Sequence, residues 1–337
     1  MLPTHDCLLL PTTYYLLPTY YLLTTDHPPL LQETKLQHSQ VAAVEAELLE
    51  LLGGDGGDGD GDGDGAAEWQ VGWACSTARK GYAGVATAWR RARFPGATCA
   101  PLLVDEAHVA GQEGRTLAWR LPLPRGDLGR GGNAANRLSL VNVYTPNAGA
   151  KLERHAYRVH PTDGWDARFR TALRAEAGGD GGGGAGGAGG AGGAGAGEVI
   201  TGQHVCVGGD LNVAVEDIDF YNPAAKHVAK QAGLTPEERA SARLLTSAAA
   251  PGTDGVGDGL GMVDCFRLRH PHAAGQYTYW SQRARNRPLN RGLRLDYFLL
   301  SSGAAPSAVL EAQHLQPLLG SDHAPLLLEL DLAQLEG

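Results

Sequence analysis

The chain has 337 residues, 43% of them hydrophobic, which is enough apolar material for one large globular domain. Its formal net charge of −9 excludes a protein that binds nucleic acid by overall charge alone, so phosphate contacts would depend on locally clustered Lys and Arg. The five cysteines are far apart and form no CxxC pair, which argues against a zinc site or disulfide framework and favours a reducing compartment.

Residues 1–29 are predicted to be a low-complexity segment that precedes the globular domain. The stretch from Cys7 to Thr25 carries no charge and repeats itself, since LLPTTYYLL overlaps LLPTYYLL. Pro11 and Pro18 interrupt the apolar run, and no Lys or Arg precedes it as in a signal peptide. We therefore expect no membrane association; a membrane or targeting role is the alternative.

Three glycine-rich stretches, Gly53–Gly65, Pro124–Asn136 and Gly178–Gly197, are interpreted as insertions. The first alternates Gly with Asp but lacks the closing Glu of an EF-hand, so we interpret it as an acidic loop. The second lies between two strand-like runs, which is typical of a long hairpin loop, and the third is a flexible Gly/Ala linker. Because the insertions are internal, residues 30–333 are predicted to form one domain.

Strand and helix patterns alternate between these insertions, which predicts a layered α/β or α+β architecture. Helices are expected at Gln40–Leu52, Trp165–Ala177 and Thr235–Leu245. The last begins TPEER, with Pro at the first helical position and early acidic residues. Strands are expected at Val85–Trp89, Thr116–Leu121, Arg137–Tyr144, His204–Gly208, Leu293–Leu300 and Leu326–Leu330.

Polar side chains of catalytic type adjoin the apolar runs at five places. They are Gln32-Glu33-Thr34-Lys35, Tyr144-Thr145-Pro146-Asn147, Gly209-Asp210-Leu211-Asn212, Leu295-Asp296-Tyr297 and Ser321-Asp322-His323. Each alone also fits a surface turn, a helix cap or a half-buried strand residue. Together, carboxylates, amides and one His at strand ends predict a common pocket.

The residue types favour chemistry at a phosphate ester. Several carboxylates without clustered Cys or several His favour a hard cation, Mg²⁺, with Mn²⁺ as a substitute, and Mg²⁺ pairs with phosphate. Asp210 and Asn212 form an Asp-x-Asn unit that can deprotonate and orient a water. His323 lies beside an acid, and a second Asp holding its tautomer would let it stabilise charge on phosphoryl oxygens.

The ordered set resembles the exonuclease III / apurinic-apyrimidinic endonuclease branch of the endonuclease-exonuclease-phosphatase superfamily. The similarity spans Leu30 to Leu330 apart from the insertions, and other branches generally lack YTPNAG and GLTPEER. The motifs that carry it are LQETK, KGYAGV, GRTLAW, VNVYTPNAG, VGGDLNVAVEDIDFYNP, GLTPEER, DCFR, YTYW, RGLRLDYFLLS and LGSDHAPLLLEL.

The resemblance implies a four-layered α/β sandwich of two packed mixed sheets flanked by helices. It implies Mg²⁺-dependent hydrolysis of the DNA backbone 5′ to an abasic site in base excision repair, with 3′-phosphodiesterase and 3′–5′ exonuclease as further activities. The partner would be double-stranded DNA carrying abasic sites, bound by a monomer. The expected location is the nucleus, with chloroplast or mitochondrion as the alternative.

The resemblance also assigns roles to single residues. Metal ligands would be Glu33 and Asp322, with Asp210 and Asn212 at the same ion. Catalytic roles would fall to Tyr144 at the scissile phosphate, Asp210 and Asn212 at the water, His323 at the developing phosphorane, and Asp296 orienting His323. Substrate contacts would come from Asn147, from Tyr279 and Trp280 at the abasic sugar, and from Lys80, Tyr82 and Arg115 on the other side. Arginines interleaved with these aromatic residues predict a phosphate-gripping surface, for which a solvated basic loop is the alternative: Arg267, Arg269, Arg283, Arg285, Arg287, Arg291 and Arg294.

The sequence departs from the family pattern at two places. A strand resembling SWNxxG should precede LQETK, but no Asn occurs in the first 100 residues, so the first strand is apparently missing and unpaired strand edges are expected. Ala150 stands where the family often carries a DNA-inserting Arg, and Lys151 is next to it. Two alternatives follow: a weakly active or inactive DNA-binding remnant, and a phosphatase or RNA-directed member of the superfamily.

Overall fold

A computed structural model of the chain describes residues 28–52, 69–102, 104, 113–123, 137–178, 203–248, 259–303 and 305–335. The predictions made for residues 1–27, for Gly53–Gly65, for Pro124–Asn136 and for all but the first residue of Gly178–Gly197 lie outside these residues.

The first sheet has three antiparallel strands. These are β1 (Leu30–Gln32), β2 (Trp69–Ala74) and β3 (Val85–Arg90), and their spatial order is β1-β3-β2. Helix α1 (His38–Leu52) packs on this sheet. Its Leu48 joins an apolar cluster with Leu31 and Ala86, and Trp73 Nε1 donates a hydrogen bond of 2.7 Å to Glu45.

The second sheet has six strands in the order β4-β5-β6-β7-β9-β8. Strands β6 and β7 are parallel, and all other neighbours are antiparallel. The strands are β4 (Thr98–Pro101), β5 (Thr116–Pro122), β6 (Arg137–Tyr144), β7 (Gln203–Asp210), β8 (Val263–Asp264) and β9 (Asp296–Leu300). A separate antiparallel pair is formed by β10 (Val309–His314) and β11 (Leu326–Leu330).

Helices cover the outer face of the six-stranded sheet. On this face lie the longer helices α3 (Trp165–Ala177) and α4 (Pro236–Thr246) with the short helix α2 (His155–Val159). The short helices α5 (Cys265–Arg269) and α6 (Ala305–Ala308) instead contribute to the apolar cluster that contains Trp119, Cys206 and β10. Trp165 and Phe169 of α3 pack in one apolar cluster with Val141 and Val143, which alternate along β6. The intervening Asn142 points the other way, where its Nδ2 donates to the Ala86 carbonyl at 2.7 Å in the first sheet.

The two sheets pack face to face, which with the helices produces the four layers that were predicted. Gly208 marks their closest approach, because a Cβ there would lie 2.6 Å from the Phe298 ring and 2.7 Å from Leu30 Cδ1. Any larger residue would force the sheets apart. The predicted two-sheet α/β fold is therefore confirmed.

Several predicted elements have the observed bounds, and others need correction. The strands Arg137–Tyr144 and Leu326–Leu330 and the helix Trp165–Ala177 begin and end as predicted. The predicted strand Leu293–Leu300 is wrong in its first half: Leu293 forms only isolated bridges to Phe220 and Tyr279, and β9 begins at Asp296. Strand β7 runs two residues further than expected, to Asp210, because parallel pairing with β6 extends to Tyr144.

Strands β2, β4, β8 and β10 were not predicted. They contain Gly, Pro or charged residues that weaken the local β pattern, and long-range pairing overrides that weakness. Among the helices of the described ranges, none combines the length and the apolar character needed to cross a membrane.

Candidate active site

Three acidic or phenolic residues lie side by side on adjacent strands of the six-stranded sheet and form one row across it. Tyr144 ends β6 directly opposite Asp210 at the end of β7, and Asp210 is directly opposite Asp296 at the start of β9. Since β9 is antiparallel to β7, its beginning lies at the edge where β6 and β7 end. Glu33 follows β1 at the end of the other sheet. The row places these residues at the mouth between the two sheets.

The Gly209–Asn212 turn is held in an uncommon backbone conformation. Asn212 has φ +50°, a left-handed value that Asn tolerates better than most residues. Gly209 has φ +139°, and a Cβ there would overlap the Val143 carbonyl oxygen, so the position requires Gly. Buried Arg158 clamps the turn from behind, donating to the carbonyls of Leu211 at 2.5 Å and Asn212 at 2.7 Å.

Asn212 orients the Asp210 carboxylate through two hydrogen bonds. Its backbone N–H donates to Asp210 Oδ1 at 2.7 Å, and its Nδ2 donates to Asp210 Oδ2 at 2.8 Å and to the Thr145 carbonyl at 2.9 Å. Asn147, the last residue of the YTPN motif, donates from Nδ2 to Asn212 Oδ1 at 2.9 Å. The structure therefore joins three predicted site residues, Asn147, Asp210 and Asn212, in one hydrogen-bonded chain.

Asp210 carries an abnormal pKa. Burial raises the pKa of this carboxyl, and so do the neighbouring Asp296 and Glu33, while His323 lowers it, with a result of about 7. A carboxylate that is desolvated and close to like charges is hard to ionise. Its proton affinity is therefore close to that of an effective general base at neutral pH.

Asp296 and His323 form a buried pair. His323 Nδ1 lies 2.8 Å from Asp296 Oδ2, and the Asp296 side chain is fully buried. Burial alone would lower the pKa of His323, but the carboxylates of Asp296, Asp210 and Asp322 outweigh it and raise that pKa to about 10. The imidazole is therefore protonated at neutral pH, with Nδ1–H donated to Asp296 and Nε2–H available to another acceptor.

Thr278 and Tyr279 hold this pair in place. Thr278 Oγ1 accepts hydrogen bonds from the backbone N–H groups of Leu295 at 2.9 Å and Asp296 at 3.1 Å. The Tyr279 ring lies 5.0 Å from the His323 ring, tilted by 51°. These contacts fix the start of β9 and the orientation of the imidazole.

Tyr144 is supported by Arg115 on one side and contacts Glu33 on the other. Arg115 Nη1 donates to the Tyr144 carbonyl at 2.9 Å, and its guanidinium lies 4.8 Å from the Tyr144 ring centroid. The Tyr144 hydroxyl hydrogen-bonds Glu33. Burial and the nearby Glu33 and Asp210 carboxylates raise the pKa of Tyr144, so it stays a neutral donor.

Two predicted substrate contacts are corrected by burial. Arg115 is 5% exposed and is tied to Glu113 and to Tyr82, whose hydroxyl accepts its Nη2 at 2.7 Å, so it supports Tyr144 and cannot grip a ligand. Trp280 is 2% exposed, and its ring packs with Tyr277 and Ala324 under the guanidinium of Arg287, so it is not presented to the cleft. Lys80 is exposed, and Tyr82 is half-buried.

The donor set of this site fits a hard cation. Ligand atoms of Asp210, Asp296 and His323 lie within 4.8 Å of one another. His323 itself is a poor ligand, because a protonated imidazole has no free nitrogen lone pair. The remaining donors are oxygens, and Asp296 Oδ1 is buried without a hydrogen-bond partner among the described residues. Burial and the neighbouring Asp296 and Glu33 carboxylates raise the pKa of Asp210, and a bound cation would oppose this effect.

The two predicted metal ligands on the loops are not members of that three-residue group, but Glu33 acts on the charge of Asp210 and Asp322 acts on the charge of His323. Glu33 has φ +54°, is 30% exposed and pairs with Lys35 at 3.1 Å. The backbone carbonyl of Asp322 accepts a hydrogen bond of 2.9 Å from the Trp280 backbone N–H, so this bond does not involve the Asp322 carboxylate. The sequence assigned no role to Arg158, Thr278 or Glu238. Thr278 and Glu238 lie in the quoted motifs YTYW and GLTPEER, whereas no quoted motif contains Arg158.

Comparison with known proteins identifies relatives along most of the chain. A family model described as "Endonuclease/Exonuclease/phosphatase family" matches residues 30–323. The DNA repair nuclease APEX1 of Danio rerio is 32% identical over 261 residues, covering 76% of this chain and 63% of that protein. An exodeoxyribonuclease of Streptococcus pneumoniae is 27% identical over 305 residues, covering 90% of this chain and 85% of that protein.

A solved structure has the same fold. The AP endonuclease LMAP of Leishmania major superimposes with a TM-score of 0.61 and 29% identity, covering 90% of this chain and 78% of that one. The chain spans only 21%, 63% and 43% of the lengths of three of the curated relatives that it matches.

Proposed function

Because the chain belongs to the endonuclease/exonuclease/phosphatase family, we propose that it is a Mg²⁺-dependent phosphodiesterase that hydrolyses the DNA backbone 5′ to an abasic site. The single observation that carries this proposal is the row of Tyr144, Asp210 and Asp296 with His323 bonded to its end. The names of the zebrafish, pneumococcal and Leishmania proteins support DNA as the substrate. Any 3′-phosphodiesterase and 3′–5′ exonuclease activities would use the same site.

Asp210 acts as the general base in this proposal. Asn212 donates to both of its oxygens, which fixes the carboxylate plane and leaves one lone pair on each oxygen for the attacking water. With a pKa of about 7, Asp210 is partly ionised at neutral pH and accepts the proton of that water as it attacks phosphorus. Arg158 keeps the turn, and hence the carboxylate, in position.

His323 and Tyr144 act on the phosphoryl group. His323 stays protonated, so its Nε2–H stabilises negative charge that develops on a phosphoryl oxygen, while Asp296 holds the opposite nitrogen. Tyr144 keeps its proton and donates from the opposite side of the row. Both donors are fixed before the substrate arrives, which favours the transition state.

We assign Glu33 and Asp322 as metal ligands beside the buried carboxylates. Bound Mg²⁺ would neutralise charge on the phosphate and on these crowded carboxylates. Asn147 and Tyr279 would contact the nucleotide, and exposed Lys80 with Tyr82 would contact the flanking backbone. Trp280 and Arg115 would act by supporting Tyr279 and Tyr144 from behind.

The decisive experiment incubates the purified protein with a duplex that carries one abasic-site analogue, with Mg²⁺ and then with EDTA. We expect cleavage 5′ to the lesion that EDTA abolishes and that Asp210→Asn lowers by about 10²–10⁴-fold, the usual contribution of a general base. Asp163→Asn, at a carboxylate 76% exposed, is the matched control and should cleave at the wild-type rate. Circular dichroism of both variants verifies that they are folded.

Parallel reactions with RNA and with a phosphoinositide test the other branches of the family. Faster hydrolysis of either one than of the abasic duplex would replace the proposed substrate. Full activity of Asp210→Asn would instead remove Asp210 from the mechanism.

A further inference from the structure

The hairpin loop between β10 and β11 carries two residues of the site, Asp322 and His323. Residues 315–325 lie between the ends of the two strands and belong to neither. The loop nevertheless holds His323 Nδ1 at 2.8 Å from Asp296 Oδ2. Because a loop lacks the regular hydrogen bonds of a ladder, other contacts must fix this geometry.

Arg287 joins the two sides of this loop through its guanidinium group. On the second side, Nη1 donates to the carbonyls of Ser321 at 2.6 Å and His323 at 3.5 Å. On the first side, Nη2 donates to the carbonyls of Gln316 at 2.9 Å and Leu318. A guanidinium suits this position because its donors point in fixed directions within one plane, and because bonds from a charged donor are stronger than neutral ones.

Trp280 completes the support of the loop. The Arg287 guanidinium lies 4.7 Å from the centroid of the Trp280 ring, which is itself held by a bond of 3.0 Å from Nε1 to Asn290. The Trp280 backbone N–H donates to the Asp322 carbonyl at 2.9 Å. The carbonyls of three consecutive residues, 321–323, are therefore all bonded to either Arg287 or Trp280.

This use of Arg287 differs from the prediction made from the sequence, which counted it among the arginines that grip phosphate. Both of its terminal nitrogens donate to backbone carbonyls, so binding a phosphate would break bonds that hold the loop. Burial lowers the pKa of Arg287, and the neighbouring Asp322 carboxylate opposes that effect. The guanidinium thus lies behind the site, within electrostatic reach of Asp322.

We propose that Arg287 is a positioning residue that fixes residues 321–323, and through them holds the His323 imidazole against Asp296. Its effect on turnover rests on the proposed function, whereas the geometry is a property of the free protein. Arg287 would then do for His323 what Arg158 does for the Asp210–Asn212 turn.

Two substitutions separate positioning from charge. Arg287→Lys keeps the positive charge but loses the planar set of donors, and Arg287→Met loses both. We expect kcat on the abasic duplex to fall by about 10–10²-fold in both variants, because a small displacement of a reacting group has an effect of this size. KM should stay within about twofold of the wild-type value, because Arg287 does not contact the substrate.

A phosphate-gripping role predicts a different result. KM would rise, Arg287→Lys would largely restore it, and the dependence of binding on salt would fall by about one phosphate contact in Arg287→Met. That pattern, or wild-type kcat in Arg287→Lys, would overturn the proposal. The control Arg91→Met removes the same charge from the exposed turn after β3 and should leave kcat and KM unchanged. Assays at a temperature where circular dichroism shows folded protein exclude a loss caused by unfolding.

Nitrogen-15 NMR of the free protein tests the geometry without turnover. In the wild type, Nη1 and Nη2 of Arg287 should give separate proton resonances, because bonds to four carbonyls hinder rotation of the guanidinium, whereas those of Arg91 should average. The His323 Nδ1–H resonance should be visible in the wild type, because its bond to Asp296 slows exchange with water, and should be lost in both Arg287 variants. An averaged Arg287 resonance, or a His323 Nδ1–H signal that persists in both folded variants, would also overturn the proposal.

The two kinds of failure are distinguishable. If the wild type does not cleave abasic DNA, the proposed function is wrong and the NMR results still decide the role of Arg287. If it cleaves and both Arg287 variants keep the wild-type kcat and His323 signal, the positioning role is wrong and the proposed function stands. If Arg287→Met does not fold, the wild-type resonances and Arg287→Lys decide.

Discussion

At Asp296 and His323 one hydrogen bond determines the charge of the site. Burial by itself would keep the imidazole neutral, and the adjacent carboxylate reverses that preference. Asp210 lies directly opposite Asp296, and its pKa is raised because burial and the neighbouring carboxylates hinder its ionisation. The environment thus separates an acid with a pKa of about 10 from a base with a pKa of about 7, which are the protonation states the proposed reaction needs.

Asp296→Asn should move the alkaline limit of activity. The contribution of protonated His323 is present below its pKa and is lost as the pH rises through about 10. Without the Asp296 carboxylate, that pKa falls towards the ordinary value of about 6.5, and the alkaline limb of the kcat profile shifts to lower pH. We expect kcat at pH 8 to fall by about 10²-fold or more.

NMR titration of the His323 ring in the free protein checks this prediction without relying on turnover. Asp331→Asn, at a half-buried carboxylate that accepts hydrogen bonds from Ala333 and Gln334 after β11, serves as the control. An unchanged His323 pKa in Asp296→Asn would show that Asp296 does not set its charge.

The Asp210–Asn212 turn depends on a helix from another part of the chain. Arg158 of α2 is almost fully buried, contacts Asp166 and Glu238 as an ion pair with each, and donates to the Leu211 and Asn212 carbonyls. Glu238 in turn forms the capping box of α4 with Thr235. Three helices, α2, α3 and α4, are therefore connected to the catalytic turn through one guanidinium group.

Arg158→Met should destabilise the fold and misplace the turn. Removing the guanidinium leaves Asp166 and Glu238 buried without their cation, and breaking a buried pair in this way costs about 3–5 kcal/mol. Urea unfolding monitored by Trp fluorescence measures this change. The control Arg93→Met, at an exposed turn after β3, should stay within about 0.5 kcal/mol of wild type. Equal unfolding midpoints for the two variants would contradict the stabilising role of Arg158.

Across the whole molecule, layered packing leaves titratable groups in the interior that respond to pH. His314 of β10 stacks on Phe266 of α5 with ring centroids 3.7 Å apart, and its Nδ1 bonds the Gln276 carbonyl at 3.2 Å. Burial, together with Arg294 and Arg267, lowers the pKa of His314 to about 3. The folded protein thus holds His314 neutral where the unfolded chain would protonate it.

His314 should therefore weaken the fold in acid. Its pKa is depressed on folding, so its contribution is fully present above about pH 6.5 and is lost as the pH falls towards 3. We expect His314→Gln to reduce the loss of stability between pH 7 and pH 5 by on the order of 1 kcal/mol. Urea unfolding at both pH values measures this change in stability, with exposed His272→Gln as the control. An identical pH dependence of stability in the wild type and both variants would contradict the prediction.

The sequence by itself determined the layered α/β fold and the order of the site motifs. Strands such as Arg137–Tyr144 and the helix Trp165–Ala177 were predictable because their apolar periodicity is local and strong. The polar residues next to those strands were also predictable, because strand ends gather at sheet edges. Strands without such a pattern, such as β2 and β4, were not.

Only the tertiary structure decided which side chains touch. The direct opposition of Tyr144, Asp210 and Asp296 is a matter of strand register between residues far apart in the chain. Whether Arg115 and Trp280 face the cleft or the interior depends on neighbours that no local pattern specifies. The apolar periodicity of the sequence indicates which face of a helix or strand is buried. The register between strands, and the charge and burial of single side chains, arise from long-range packing.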